Sequence, residues 1–202
     1  MSPGATFERV YLALKEQLGT ARYAAGQSLE PAALSQDLNA SITPVRDALH
    51  RLVGEGLVEA PRGDGFRAPL VTEVGLRYLY RWNGALLEVA VRSRHARRSP
   101  QPDASAAAHP VEATEELFLA IAAWTGNPEH GSAIARLNDR LRPIRWTEAT
   151  LTAGFGDELD AIADLVRAGA PPLLRRSLAA YHRRRERLVG EIVAALVAPR
   201  TE

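Results

Sequence analysis

The chain has no cysteine, a single lysine (Lys15) and a single methionine among its 202 residues. Without thiols it can form neither disulfides nor thiolate metal sites, a usage compatible with a cytoplasmic protein. No stretch approaches the ~18 consecutive apolar residues of a membrane span. The opening MSPGATFERV has no apolar h-region, so neither a membrane anchor nor a signal peptide is expected. Catalytic signatures are missing as well: there is no phosphate-cradling glycine loop, no HExxH and no G-x-S-x-G. The five histidines (His50, His95, His109, His130 and His182) are scattered without a catalytic spacing. Acid clusters such as Glu112, Glu115 and Glu116, or Asp157, Glu158 and Asp160, read as solvated helix faces. No enzymatic activity is expected. Strong charge of one sign is lacking too, with a formal net charge of +1 overall and seven Lys and Arg against eight Asp and Glu in residues 1–72. Any nucleic-acid footprint therefore has to be local. Arg46, Arg51, Arg62 and Arg67 are the residues that can make one.

What the chain does have is the stretch Ser41–Val58, SITPVRDALHRLVGEGLV. Ser or Thr can cap a helix, and Pro is tolerated in its first turn, so Ser41 and Thr43-Pro44 open a helix over 42–54. Val45, Ala48, Leu49, Leu52 and Val53 recur at helical spacing and form one apolar stripe. Arg46, His50 and Arg51 project away from it, and Gly54 and Gly56 end the helix. An amphipathic helix with a basic outer face, entered through a tight turn, suits the major groove of DNA.

The flanks agree with this. Phe7, Val10, Tyr11, Leu14 and Leu18 predict a first helix ending near Gly19. Gly26 turns the chain, Ser28-Leu29 reads as a short strand, and Pro31 opens a second helix with Leu34 and Leu38 inward and Asn39 as a left-handed C-cap. After the third helix, Leu57–Ala60 and Phe66–Pro69 read as two strands joined by Pro61–Gly65, where Asp-Gly is a hairpin signal. Three helices and a hairpin make a winged helix-turn-helix over about residues 1–72, with Arg62 at the wing tip.

Residues 6–70 resemble the DNA-binding domain of the GntR family of bacterial transcriptional regulators. The resemblance rests on Leu34 and Leu38, on Ser41 with Thr43-Pro44-Val45-Arg46, on Ala48-Leu49 and Leu52, on Glu55-Gly56-Leu57-Val58, and on the wing glycines. It implies operator contacts by Thr43 and Arg46, and by the wing at Arg62, Gly63 and Gly65; Ser41, at the opening turn, and His50 and Arg51, on the outer face of the helix, are further candidate DNA contacts. Two positions depart from the family pattern. Ile42 stands where an Arg is usual, and Ala32 where a basic or polar residue is common. Losing a bidentate base contact removes on the order of 1–3 kcal/mol of base discrimination, so a weaker affinity or an altered operator is expected.

Residues 73–202 read as an all-α bundle. Val74 to Ala90 form one long helix ending near Arg94 to Arg98, followed by a flexible loop, SPQPDASAAAHP. Val111 to Trp124 is amphipathic and Gly126-Asn127-Pro128 stops it. Further helices are expected over 129–141, 143–152, 157–168 and 172–197. The fold class is thus mainly α, a winged helix-turn-helix followed by a helical effector and dimerisation domain. That second part resembles the FadR-like effector domain of the FCD type, anchored on Trp124-Thr125-Gly126-Asn127 and Leu165 to Gly169.

Many such domains hold a metal ion with one Asp and three His. In the register set by Gly126-Asn127, the Asp falls on Thr114 and the first His on Phe118. In the register set by Ala168-Gly169, the others fall on Leu159 and on Tyr181, beside His182. Phe and Leu cannot ligate, so no metal or other cofactor is expected. An apolar or aromatic effector pocket drawn from Phe118, Trp124, Leu159 and Tyr181 is expected instead, with those residues as plain core filling the other reading. The function implied is a homodimeric repressor on an inverted-repeat, double-stranded operator, released or modulated by a small-molecule effector. The residues leave two alternatives. One is a ligand-binding or protein-interaction module with weakened DNA binding, which Ile42, Ala32 and the neutral charge favour. The other is a metal-dependent sensor using His182 with His109 or His130.

Overall fold

Eight α-helices carry most of residues 3–93 and 109–197, the part of the chain that the computed structural model describes. They fall into two units, one ending at Val71 and one over Thr72–Ala195.

The first unit is built on α1 (Pro3–Gly19), α2 (Pro31–Asp37) and α3 (Ile42–Glu55). Val10, Tyr11 and Leu14 from α1 meet Val45, Ala48, Leu49 and Leu52 from α3, and Leu34, Leu38, Phe66 and Ala68 close the core. Asn39 adopts the left-handed conformation after α2 (φ 47°). There Arg9 donates to the carbonyls of Leu38 (2.9 Å) and Asn39 (3.2 Å). A cation at a helix C-terminus satisfies carbonyls that have no intrahelical donor.

The start of α3 differs in detail from the sequence expectation. The helix begins at Ile42, with Ser41 as an extended N-cap whose side chain makes no capping bond. Pro44 is the third helical residue, still within the turn whose N–H groups lack intrahelical partners, so it costs no hydrogen bond. The far end closes as a Schellman motif: Leu57 N donates to Leu52 O (2.9 Å) and Gly56 N to Val53 O (3.0 Å). Gly56 has φ 73°, so the helix runs through Gly54 and stops at Gly56 alone.

The wing has less β structure than its sequence predicts. Among the described residues there are isolated bridges only, Glu59↔Arg67 and Ser28↔Arg67, in place of the expected strands 57–60, 66–69 and 28–29. The cause is proline placement. Glu59 and Arg67 exchange both backbone bonds at 2.9 Å. In antiparallel register the neighbouring hydrogen-bonded pairs would be 61 with 65 and 57 with 69. Pro61 and Pro69 have no N–H to give, so the ladder stops after one pair. The segment before α2 lies along the other side of Arg67, with Leu29 N bonded to Phe66 O (2.8 Å) and Ala68 N to Gln27 O (2.9 Å).

The second unit contains α4 (Glu73–Arg92), α5 (Pro110–Ala122), a 3-10 turn (Ala123–Thr125), α6 (Pro128–Leu151), α7 (Phe155–Ala168) and α8 (Pro171–Val197). Its core joins Leu86, Leu87 and Val91 to Leu117, Phe118 and Ile121, with Ile134, Ile162, Leu174 and Tyr181 from the later helices. Gly126 turns left-handed (φ 66°), and Asn127 caps α6 by accepting from Glu129 N (3.0 Å). The helices expected over 129–141 and 143–152 are one helix, α6, which passes through Pro143. The ring removes one i→i−4 bond, but Leu141, Ile144, Arg145 and Glu148 are all buried and hold both sides of the proline in line. α4 ends at Arg92, and the positions 94–98 where its end was expected, with most of the expected loop up to residue 108, lie outside the described residues. No helix among the described residues is long and apolar enough to cross a membrane.

Candidate nucleic-acid interface

Packing Val45, Ala48, Leu49 and Leu52 inward leaves the opposite face of α3 open. Ser41, Ile42, Thr43, Arg46, Asp47 and His50 are exposed along it. Ile42, Arg46 and His50 follow one another at intervals of four, so they form a single line down the helix. At its lower end the His50 ring meets Phe66 edge-on, with centroids 4.9 Å apart, which fixes the wing base against α3. Arg62, Gly63, Asp64 and Gly65 form the exposed tip, where Gly63 (φ 89°) and Gly65 (φ 69°) take a conformation that L side chains rarely adopt.

Arg51 does not belong to this face, contrary to the sequence expectation. Five residues after Arg46, it is rotated by roughly 140° at 3.6 residues per turn and faces α1. Its guanidinium stands 3.8 Å from the Tyr11 ring centroid and pairs with Glu8 (3.6 Å) and Glu55 (3.2 Å). Glu55 also accepts from the Tyr11 hydroxyl at 2.9 Å. Most other basic residues of the unit are engaged too: Arg9 on helix carbonyls, Arg22 with Asp37, Arg67 with Glu59 and Lys15 with Glu55. Within this unit, Arg46 and Arg62 are the arginines that make neither an ion pair nor a side-chain hydrogen bond among the described residues. Sequence reasoning missed the Arg51 assembly, although Phe7, Tyr11 and Glu55 were all in view.

A helix with a bare polar face, entered through a turn and flanked by a glycine wing, is the frame of a DNA-reading head. The family comparison agrees: residues 6–67 match the model of the bacterial regulatory proteins of the gntR family. Over those residues the N-terminal unit is similar to the DNA-binding part of that family. No curated protein sequence matches the chain. Among solved structures, a putative transcriptional regulator GntR from Rhodococcus sp. RHA1 is similar at 15% identity. Its TM-score is 0.78, over 95% of this chain and 99% of that one. E. coli McbR/YncC is similar at 20% identity, with a TM-score of 0.66 over 92% of this chain and 97% of that one. At such identities the likeness is one of fold. The chain shares its fold with these two structures.

In the second unit, the four residues expected to line an effector pocket are brought together, but as packed core. Phe118, Trp124, Leu159 and Tyr181 are all buried in one cluster, and the rings of Phe118 and Tyr181 meet edge-on at 5.5 Å. An open cleft of about 1140 Å³ lies elsewhere, between α4 and α8, and includes none of the four. Tyr80, Gly84, Leu165, Leu178 and His182 line it, with Arg176 and Arg183 among its charged residues.

The histidines of the metal-sensor alternative are held apart by separate partners. The two ring nitrogens of His182 face Leu178 O (2.7 Å) and Asn83 Oδ1 (2.9 Å). His130 Nε2 is 2.9 Å from Leu86 O, and His109 Nδ1 accepts from Val111 N to cap α5. No group of three or more potential ligands forms among the described residues. Burial pushes the His182 pKa down to about 4; Arg185 and Arg145 push the same way, and the Leu178 carbonyl opposes them.

Two acidic residues read as solvated are instead part of interior ion pairs. Glu158 pairs with Arg185 at 2.5 Å, and Glu115 with Arg142 at 3.2 Å and Arg145 at 3.8 Å. Burial raises the Glu115 carboxyl pKa, against the pull of Arg145 and Arg142. Arg185 and Glu148 form a fully buried pair at 3.3 Å, and Glu148 also accepts from the Tyr80 hydroxyl. Nothing in the helical periodicity points to such a cluster, since charged side chains are seldom fully buried unless paired.

Proposed function

We propose that the chain is a cytoplasmic, sequence-specific repressor of transcription that binds double-stranded DNA as a homodimer and answers to a small-molecule effector. The observation that carries this reading is the open face of α3, where Ser41, Thr43 and the unpaired Arg46 stand free beside the wing. Arg46 reads a guanine edge in the major groove, where a bidentate contact contributes about 1–3 kcal/mol of discrimination. Ser41, whose hydroxyl is not used in capping, and Thr43 bond phosphate or base edges, and His50 lies deeper on the same line. Arg62, Gly63 and Gly65 bring the wing to the adjacent backbone or minor groove.

An exposed apolar row on α4 supports pairing of two chains. Val74, Tyr78, Trp82, Ala85 and Val89 follow at helical spacing, with Tyr78 63% and Trp82 54% exposed. Set antiparallel to its own copy about a two-fold axis between positions 81 and 82, α4 would face Val74 with Val89 and bulky Tyr78 with small Ala85. An isologous contact of this kind needs such self-complementarity. Ala85 also borders the α4–α8 cleft, which has room for an effector. An effector seated there would act on the helix that joins the two chains and so change the spacing of the reading heads. Effector control then requires different affinities for the two spacings.

The near-neutral reading domain favours the second reading, a ligand-binding or protein-interaction module with weak DNA affinity. The discriminating experiment is selection from a pool of random duplex DNA at near-physiological salt. Enrichment of a palindrome supports the dimeric regulator. If nothing enriches and residual binding vanishes with added salt, the attraction is only electrostatic and the second reading takes its place.

A further inference from the structure

Ile42 is the first residue of α3, and 47% of it is exposed. It takes no part in the apolar core of its unit, although Ala40, two residues earlier, packs against that core. A lone exposed aliphatic residue is ordinary on a protein surface. Its position here is not ordinary. It lies between Ser41 and Thr43, and one turn ahead of Arg46, which is free to reach a base. Every other exposed side chain on this face (Ser41, Thr43, Arg46, Asp47 and His50) is polar or charged.

The major groove presents one apolar group, the C5-methyl of thymine. We infer that Ile42 makes this protein select thymine at one position of each half-site, by packing against that methyl. The inference rests on the reading of α3 proposed above. Four residues of helix separate Ile42 from Arg46 by about 6 Å along the axis, and bases on one strand rise about 3.4 Å apart. The thymine is therefore expected within about two base pairs of the guanine that depends on Arg46. A cytosine or guanine in its place would set an amino or carbonyl group against the isoleucine, desolvated and without a partner. The selection is thus both attractive and repulsive.

The test uses the full chain and the half-site enriched from the random pool. Each thymine of that site is replaced singly by deoxyuridine, which removes the methyl and nothing else. For the natural protein, one replacement near the Arg46-dependent guanine is expected to raise Kd about fourfold, the equivalent of ~0.8 kcal/mol for one buried carbon. Ile42→Ala is expected to bind the thymine and deoxyuridine sites equally, and Ile42→Val to keep most of the difference. Thermal melts of both variants establish that they are folded. If no deoxyuridine weakens binding while Arg46→Ala still abolishes enrichment, the inference is overturned and the regulator stands. The same follows if deoxyuridine weakens the natural protein and Ile42→Ala alike, since another residue then reads the methyl. If no site enriches at all, both fall together.

Discussion

The Arg51 guanidinium lies against the face of Tyr11, 3.8 Å from its ring centroid, while Glu8 and Glu55 hold it from two sides. The contact joins α3 to α1 and takes this arginine out of the open polar face of α3. Arg51→Ala should lower the melting temperature of the N-terminal unit. The sequence motif enriched from a random pool should remain the same. A lost motif with unchanged stability would return Arg51 to the interface.

Arg46 and Arg62 should behave differently from each other. Arg46→Ala is expected to abolish selection of the operator with the fold intact. Arg62→Ala should weaken binding about equally on all sequences and reduce the slope of log K against log salt by about one, as for a lost phosphate contact. Titrations at several salt concentrations separate the two effects.

His182 makes the second unit sensitive to acid. Its folded pKa of about 4, set chiefly by burial, lies below the ordinary 6.5. The unfolded chain therefore takes up a proton near pH 6.5 that the folded chain refuses until about pH 4. Stability should be flat above neutrality and fall by about 3 kcal/mol between these values. Urea unfolding at a series of pH values checks this, and His182→Gln should remove that part of the slope.

The buried pair Arg185–Glu148 gives a sharper result through a double-mutant cycle. Arg185→Met alone leaves Glu148 in the interior without its guanidinium and should cost about 3–5 kcal/mol. Adding Glu148→Leu should recover part of that loss, because the stranded charge is gone. Additive losses in denaturant unfolding would mean that the two side chains are not coupled.

Trp82→Glu places a charge on the apolar row of α4. It should shift the protein from dimer to monomer in sedimentation and weaken binding to a palindrome far more than to a single half-site. A variant that stays dimeric locates the interface on another surface.

Helix positions were largely legible, because the buried stripes of α1, α3, α4, α5 and α8 repeat at helical spacing and because Gly126-Asn127-Pro128 and Gly56 mark boundaries by backbone geometry. What escaped depends on partners distant in sequence. Arg46 and Arg51 look alike along the chain, and only the position of α1 decides which of them is free. Arg145, Glu148 and Arg185 resemble surface charges until three helices close around them. Pro143 reads as a break when neighbours are ignored, yet buried residues on both sides carry α6 through it. Phe118, Trp124, Leu159 and Tyr181 could be recognised as interior, but periodicity cannot tell a wall from a filled space.

The prolines of the wing have an effect beyond shortening its ladder. A flat ribbon with a row of free N–H and C=O groups invites any passing strand to add itself. With Pro61 and Pro69 flanking the single Glu59–Arg67 pair, this ribbon has no such row on offer. The exposed wing is thereby a poor template for aggregation.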